Sequence, residues 1–273
     1  MKVRYSSPLH LTFKYLGVSD RVVEDSSIPP MWSLYIDQTR QEKIMHRLRM
    51  TSGFFISPDI SPHIDVKTYE FGPIIPLRPL SEIQVDLPKL LAQRRSSRSL
   101  RGPMSFEELS TILVNCCGRT HYEERIGRWL RAYPSPGALY PNDVYLIANH
   151  VQGLRPGIYY FNPEKLGLYI VSEDEGRLGR ARASFLEKEL AGSAAAIFLL
   201  VTTMSRVSIK YGEIGLKLAL LEAGIITENV VLLASALGLR SLPYESFVDY
   251  DLNEALSLDS ANRFVAFTVM IGR

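Results

Sequence analysis

From Ser205 to Leu237 the chain carries a helical apolar period over roughly nine turns, without a proline. Leu216, Leu220, Ala223, Thr227, Val230, Ala234 and Leu237 recur at three- and four-residue steps, which places them on one helix face. Gly212, Gly215 and Gly224 interrupt the stretch and offer places where another segment can approach closely. A helix this long and apolar needs a broad apolar surface to lie on. The segment just before it, "AAAIFLLVTT", is a continuous apolar run that reads as a buried strand. A buried sheet with a long helix packed on it is the minimum that satisfies both.

The remaining signals add strands and helices in mixed order. "DVYLIAN" alternates as a strand, "GIYYFNPEKLGLYIV" reads as a hairpin turning near Asn162–Gly167, and "RFVAFTVMIG" is a closing strand. "VDLPKLLAQRR" reads as a short helix, and Ser105 with Glu108 forms a capping box ahead of "LSTILVNCC". "RLGRARASFLEKEL" and "DLNEALSL" read as two more helices. The expected fold class is α+β, a central, mostly antiparallel sheet flanked by helices. Residues 1–84 are different in kind, rich in Pro and Ser with turns such as "SSIPPMW" and "FISPDISPH". They are expected to be an extension that wraps the main domain or docks a partner, with residues 85–273 forming that domain.

Charge excludes some functions. The chain has 31 basic and 29 acidic residues, a net charge of +2, which gives no case for nucleic-acid binding. No uninterrupted apolar run of membrane-spanning length is expected, and the N-terminus, "MKVRYSSPLHLTFKYLGVSD", lacks the apolar stretch of a signal peptide. The only two cysteines, Cys116 and Cys117, are adjacent within a helical pattern and read as buried thiols, with no metal site around them. A cytoplasmic protein is the expectation.

Four short segments carry chemistry. "RRSSRSLRG", Arg94–Gly102, holds four arginines and three serines, groups suited to a phosphate dianion, though alone it also reads as a solvated basic helix end. There is no P-loop and no strand-linked GxGxxG. "YPSPGALYP", Tyr133–Pro141, is a tight loop of small residues that lets the backbone pass close to something flat. "SLPYESF", Ser241–Phe247, is expected to turn after a short strand and to present backbone N–H groups. "SIKYGEIG" places Lys210 beside Tyr211, a pair that can serve as general base and hydrogen-bond donor or be an exposed lysine next to a packed tyrosine. Lys210 is expected at the start of the long helix, where partial positive charge favours a neutral amine.

Taken together and in this order, the segments resemble the SagB-type dehydrogenases of the nitroreductase superfamily. Arg94–Arg98 is similar to the family's "RRSxR", and "RAYPSPGALYPNDVYLI" to "RPxPSGGALYPxEVYL". "KYGEIGLKLALLEAGIITENVVLLASALGL" and "LPYESFVDYDLNEALSLD" resemble the two later blocks. The resemblance covers about residues 85–273. It implies a nitroreductase-like fold and an interlocked homodimer with FMN at the subunit interface. The implied activity is FMN-dependent oxidation of thiazoline or oxazoline rings in a ribosomally made peptide, as in thiazole/oxazole-modified microcin biosynthesis, with oxygen as electron acceptor. Implied partners are cyclodehydratase subunits and a precursor peptide.

Residue by residue, the resemblance implies that Arg94, Arg95, Ser96 and Arg98 hold the FMN phosphate. Pro134, Ser135, Pro136 and Gly137 would lie along the flavin, and Pro243, Tyr244, Glu245 and Ser246 would pass near its N5. Lys210 and Tyr211 would act in catalysis, and Arg273 would return to the phosphate. The chain departs from the pattern at Ile225, where the family has His, at Glu228, where it has Gln, and at Ser246, where it has Gly. Two alternatives stand beside this reading: an NAD(P)H-dependent nitro- or quinone reductase on the same fold, and a flavin-poor structural subunit.

Overall fold

The computed structural model describes Tyr35, residues 72–125 and residues 127–273. The chain runs through β1 (Ile74–Pro76), α1 (Leu87–Gln93), β2 (Met104–Ser105), α2 (Phe106–Cys117), β3 (Arg119–Glu123) and β4 (Arg128–Arg131). After a short 3₁₀ turn at Pro136–Ala138 come β5 (Asn142–Ala148), β6 (Val151–Gln152), β7 (Gly157–Asn162) and β8 (Gly167–Ser172). Then follow α3 (Glu175–Ala183), α4 (Lys188–Ser193), β9 (Ala196–Thr203), α5 (Met204–Tyr211) and α6 (Ile214–Ala236). The chain closes with β10 (Arg240–Tyr244), α7 (Asp249–Ala255) and β11 (Arg263–Gly272).

Seven strands form one sheet in the order β1-β8-β7-β5-β9-β11-β10. All its pairings are antiparallel. The continuous apolar run explains why β9 lies inside the sheet, beside the central β5: every residue from Ala196 to Thr203 is buried. Side chains then alternate between two cores. Val144, Leu146, Phe198, Leu200, Val269 and Ile271 face a core completed by α2 and α6. Tyr145, Ile147, Ile197, Leu199, Val201 and Met270 face the other, completed by α3, α4 and α7. This is the α+β sandwich expected from the sequence.

Local signals explain the ends of several elements. The Ser105 hydroxyl accepts from Glu108 N at 3.0 Å and Ser105 N donates to the Glu108 carboxylate at 2.8 Å, so the capping box forms as read. The "GIYYFNPEKLGLYIV" hairpin forms, with Asn162 Oδ1 accepting from Glu164 N and Lys165 N in its turn. Cys116 and Cys117 are buried free thiols, and burial pushes the Cys117 pKa up to about 12, which makes it inert.

Three expectations are corrected. The stretch from Ser205 to Leu237 is two helices, broken at Gly212, whose φ of 57° and ψ of −138° suit glycine alone. Only Gly215 takes a close neighbour, Val207; Gly212 and Gly224 face open space within the protomer. The buried face of α6 is centred on Ala219, Ala223, Ile226, Val230 and Ala234, while Leu220 is exposed. "RLGRARASFLEKEL" is likewise two helices, because Phe185 turns fully inward between them to meet Phe247. By length and composition Ile214–Ala236 could cross a bilayer, but Lys217, Glu222 and Glu228 interrupt it, as the sequence reading expects, and its Ala219–Ala234 face packs on the core. The proposed extension 1–84 falls mostly outside the described residues. Of its end, Ile74–Pro76 pairs with β8 as the edge strand of the sheet.

Candidate active site

The loop before β5 and the helix after β9 leave the sheet at the same end, because Asn142 is paired with Thr202. The sequence forces the loop to be compact: Gly137, Ala138 and Tyr140 all take positive φ, at 60°, 54° and 48°. Gly137 is in van der Waals contact with the Lys-Tyr pair. A Cβ built on it would lie 2.9 Å from Lys210 Nζ and 3.0 Å from Tyr211 OH, so any side chain here displaces them. Lys210 Nζ lies 5.4 Å from the centre of the Tyr211 ring. Two segments that are remote in sequence therefore meet at one point. Lys210 itself is in the last turn of α5 and not at the start of α6. The helix-dipole argument for a neutral amine, made from an N-terminus, therefore does not apply.

A buried polar framework holds this point in place. Arg206, one turn before Lys210, bonds both oxygens of Asp143 at 2.8 Å and the Tyr140 carbonyl at 3.0 Å. Asn142 is equally fixed: its side chain and backbone N–H donate to Glu222 at 3.1 and 3.3 Å, and its carbonyl accepts from Thr202 at 2.7 Å. Ser135 Oγ accepts from Tyr140 N at 2.8 Å and closes the loop on itself. Burial pushes the Glu222 carboxyl above the usual range, against the pull of Ser135, Asn142 and Arg131. Its Oε2 makes no hydrogen bond of good geometry, although Ser135 is near enough to influence it. Before the loop, Arg131 donates to the Tyr133 hydroxyl at 3.0 Å and stacks over Tyr140 at 4.5 Å. Burial raises the Tyr133 phenol, the largest effect on it, and keeps it neutral.

The other predicted residues gather at the sheet edge. Ser96 bridges Ser241 of β10, and Ser97 N donates to Ser241 O at 3.0 Å. Arg95 and Arg98 are exposed beside this seam, Arg98 making a loose 3.4 Å pair with Glu187. The expected turn at Ser241–Phe247 begins later than read: Pro243 and Tyr244 are still in the strand, paired with Val269 and Thr268. Tyr244 is buried against Phe185, and Glu245 and Ser246 are the exposed residues. Arg273 meets Glu108 and the Pro103 carbonyl, so a phosphate role would require it to leave both.

These residues fit a phosphate-bearing planar cofactor. The bridge between Ser96 and Ser241 of β10 has the exposed Arg95 and Arg98 beside it, and Ser241 Oγ is buried there without a hydrogen-bond partner. The polar framework, by contrast, was missed by the sequence reading. The adjacent Asn142–Asp143 pair at the head of an apolar strand was its one visible signal. Among the described residues no His, Cys, Asp and Glu cluster could hold a metal ion.

Comparison with known proteins agrees with this architecture. The chain is 29% identical over 177 residues to a protein of Methanocaldococcus jannaschii described as a nitroreductase, covering 64% of this chain and 86% of that one. It is 26% identical over 163 residues to the microcin B17-processing protein McbC of Escherichia coli, covering 58% of each chain. Its fold matches a chain of the E. coli microcin synthetase McbBCD complex with a TM-score of 0.56 at 19% identity, over 91% of this chain and 99% of the other. Residues 91–273 match the nitroreductase family as a whole, and the chain belongs to that family of flavin oxidoreductases.

Proposed function

We propose that the chain is an FMN-dependent azoline dehydrogenase, which removes two electrons and two hydrogens from a thiazoline or oxazoline ring in a ribosomally made peptide. The observation that carries this reading is the seating of Gly137 on Lys210 and Tyr211. Reduction of a flavin by a nicotinamide needs no protein base, whereas aromatising an azoline requires a ring proton to leave as hydride departs. Resemblance to the microcin-processing protein supports the same choice.

Arg94, Arg95, Ser96 and Arg98 would hold the FMN phosphate, while Pro134, Ser135, Pro136 and Gly137 would border the ring with Pro243, Tyr244, Glu245 and Ser246. Bound FMN supplies the hydride acceptor, and oxygen would take the electrons onward. Lys210 takes the ring proton, and Tyr211 donates a hydrogen bond to the ring heteroatom or orients the lysine. The Asp143–Arg206 pair keeps both on the Gly137 loop.

The layout also favours a homodimer. Ser241 lies at the Ala196 end of β9 and the loop enters at its Thr202 end, roughly 20 Å along the strand. Two copies bring one subunit's arginine seam to the other's loop. Cyclodehydratase subunits and the precursor peptide are the further partners of this reading, and residues 1–84 are proposed to dock one of them.

The test incubates the yellow holoprotein in air with a thiazoline-containing peptide, and separately with NADPH. The reading expects a peptide lighter by two hydrogens and slow bleaching by NADPH. Rapid bleaching with no change in the peptide would favour the nitro- or quinone reductase, to which the archaeal relative points.

A further inference from the structure

Behind the Gly137 loop lies a cavity of about 270 Å³, lined by Arg128, Trp129, Arg131, Ala138, Tyr140 and Glu164 among others. Arg131 is the unusual wall. Its guanidinium has five N–H donors, yet its partners are the neutral Tyr133 hydroxyl at 3.0 Å and the face of Tyr140 at 4.5 Å. It forms no ion pair with any carboxylate of the described residues. The two nearest buried acids are committed elsewhere, Asp143 to Arg206 and Glu222 to Asn142. Asp143 and Glu222 act on it only through space, so its remaining N–H donors can serve an anion that enters the cavity.

We infer that this cavity binds a carboxylate of the peptide substrate, with Arg131 as its receptor. This rests on the peptide-oxidising reading and names the residue class the peptide must present. Arg131 brings one guanidinium with donors to spare, which suits a single carboxylate better than a phosphate dianion. The planar guanidinium matches a carboxylate in two-point geometry. The volume lies just below the usual range for whole small-molecule ligands, so it accommodates one residue of a longer chain. Trp129 and Tyr140 provide its apolar sides. Arg128 donates to the Ala138 carbonyl at 3.0 Å, so the cavity and the Gly137 loop share a wall. A carboxylate held here fixes the peptide next to Lys210 and Tyr211.

The chain has two tryptophans, Trp32 and Trp129. In a Trp32→Phe background, emission of the flavin-bound protein therefore reports on the cavity. The probes are acetyl-Gly-Gly as the free acid, the same compound as its amide, and acetyl-Asp-amide, which carries its carboxylate on the side chain. The inference expects saturable binding of at least one carboxylate probe, at least ~10-fold tighter than the uncharged amide. Tighter binding of the first assigns the cavity to a C-terminus, and tighter binding of the third to an acidic side chain. Arg131→Lys, checked for native circular dichroism, should abolish the preference, as should Arg131→Gln. Equal binding of acid and amide, no binding at all, or a preference unchanged in both folded variants overturns it. The readout is binding alone, so a failure of azoline oxidation is seen separately.

Discussion

Gly137 and Glu222 are the residues on which the site's geometry depends most. Gly137 sits at a φ of 60° against Lys210 and Tyr211, so Gly137→Ala incurs both left-handed strain and a contact under 3 Å. The expected outcome is a loss of about 1–2 kcal/mol of stability, measured by denaturant unfolding. Turnover should fall further, roughly 10- to 100-fold, because the pair is displaced. Glu222 makes an independent prediction. Its carboxyl titrates above the usual range because burial disfavours the charge. The folded protein then binds a proton that the unfolded chain has lost, so this group's stabilising contribution, complete at acid pH, declines as pH rises through the folded value. Glu222→Gln removes the decline, and its melting temperature relative to wild type should improve from pH 5 to pH 8. An offset unchanged with pH would contradict this. Lys210 and Tyr211 were legible as candidates because two reactive side chains stand together beside a glycine. Arg206 and Glu222 were not, because a single charge in an apolar helix reads as a solvated position until the fold shows it facing inward.

At the scale of elements, the junction of α5 with the sheet is the critical one. Arg206 and Asp143 are 8% and 3% exposed, so their bidentate pair is buried. Arg206→Leu leaves Asp143 charged and unpaired and should cost about 3–5 kcal/mol. Restoring apolar balance with Asp143→Leu as well should recover much of that loss, as urea titration of the single and double variants would show. β5, β7, β8, β9 and β11 were legible from alternation and from the continuous run of β9, and the capping box located α2 correctly. The breaks at Gly212 and Phe185 were not visible, because helical periodicity continues across both and only tertiary packing selects the turn. The β3–β4 hairpin was also missed. Its "RTHYEERIGRWLR" sequence is too charged to read as strands, and contacts such as Arg119 over Trp129 at 4.6 Å stabilise it only once folded.

Across the whole molecule, α6 leaves Leu220, Leu221 and Ile225 exposed at 45%, 56% and 38%, with Gly224 open between them. An apolar face of this kind marks an interaction surface, and the homodimer reading assigns it to the second subunit. Leu221→Asp combined with Ile225→Asp should give a folded monomer by sedimentation, with its flavin lost, because the arginine seam and the Gly137 loop no longer meet. A flavin-bound monomer would remove the interface assignment. The family was legible from four short blocks taken in order, whereas the cavity beside Arg131 was not, since its walls come from a hairpin and a loop that only the fold brings together. The central claim is that Lys210 and Tyr211 act on the substrate and not on the cofactor. Its most direct test is single-turnover oxidation of a thiazoline peptide by Lys210→Ala, followed by mass spectrometry, with flavin content and oligomeric state measured on the same sample. The account predicts full flavin, an unchanged assembly and oxidation at least ~100-fold slower than wild type. Oxidation at the wild-type rate in both Lys210→Ala and Tyr211→Phe would contradict it.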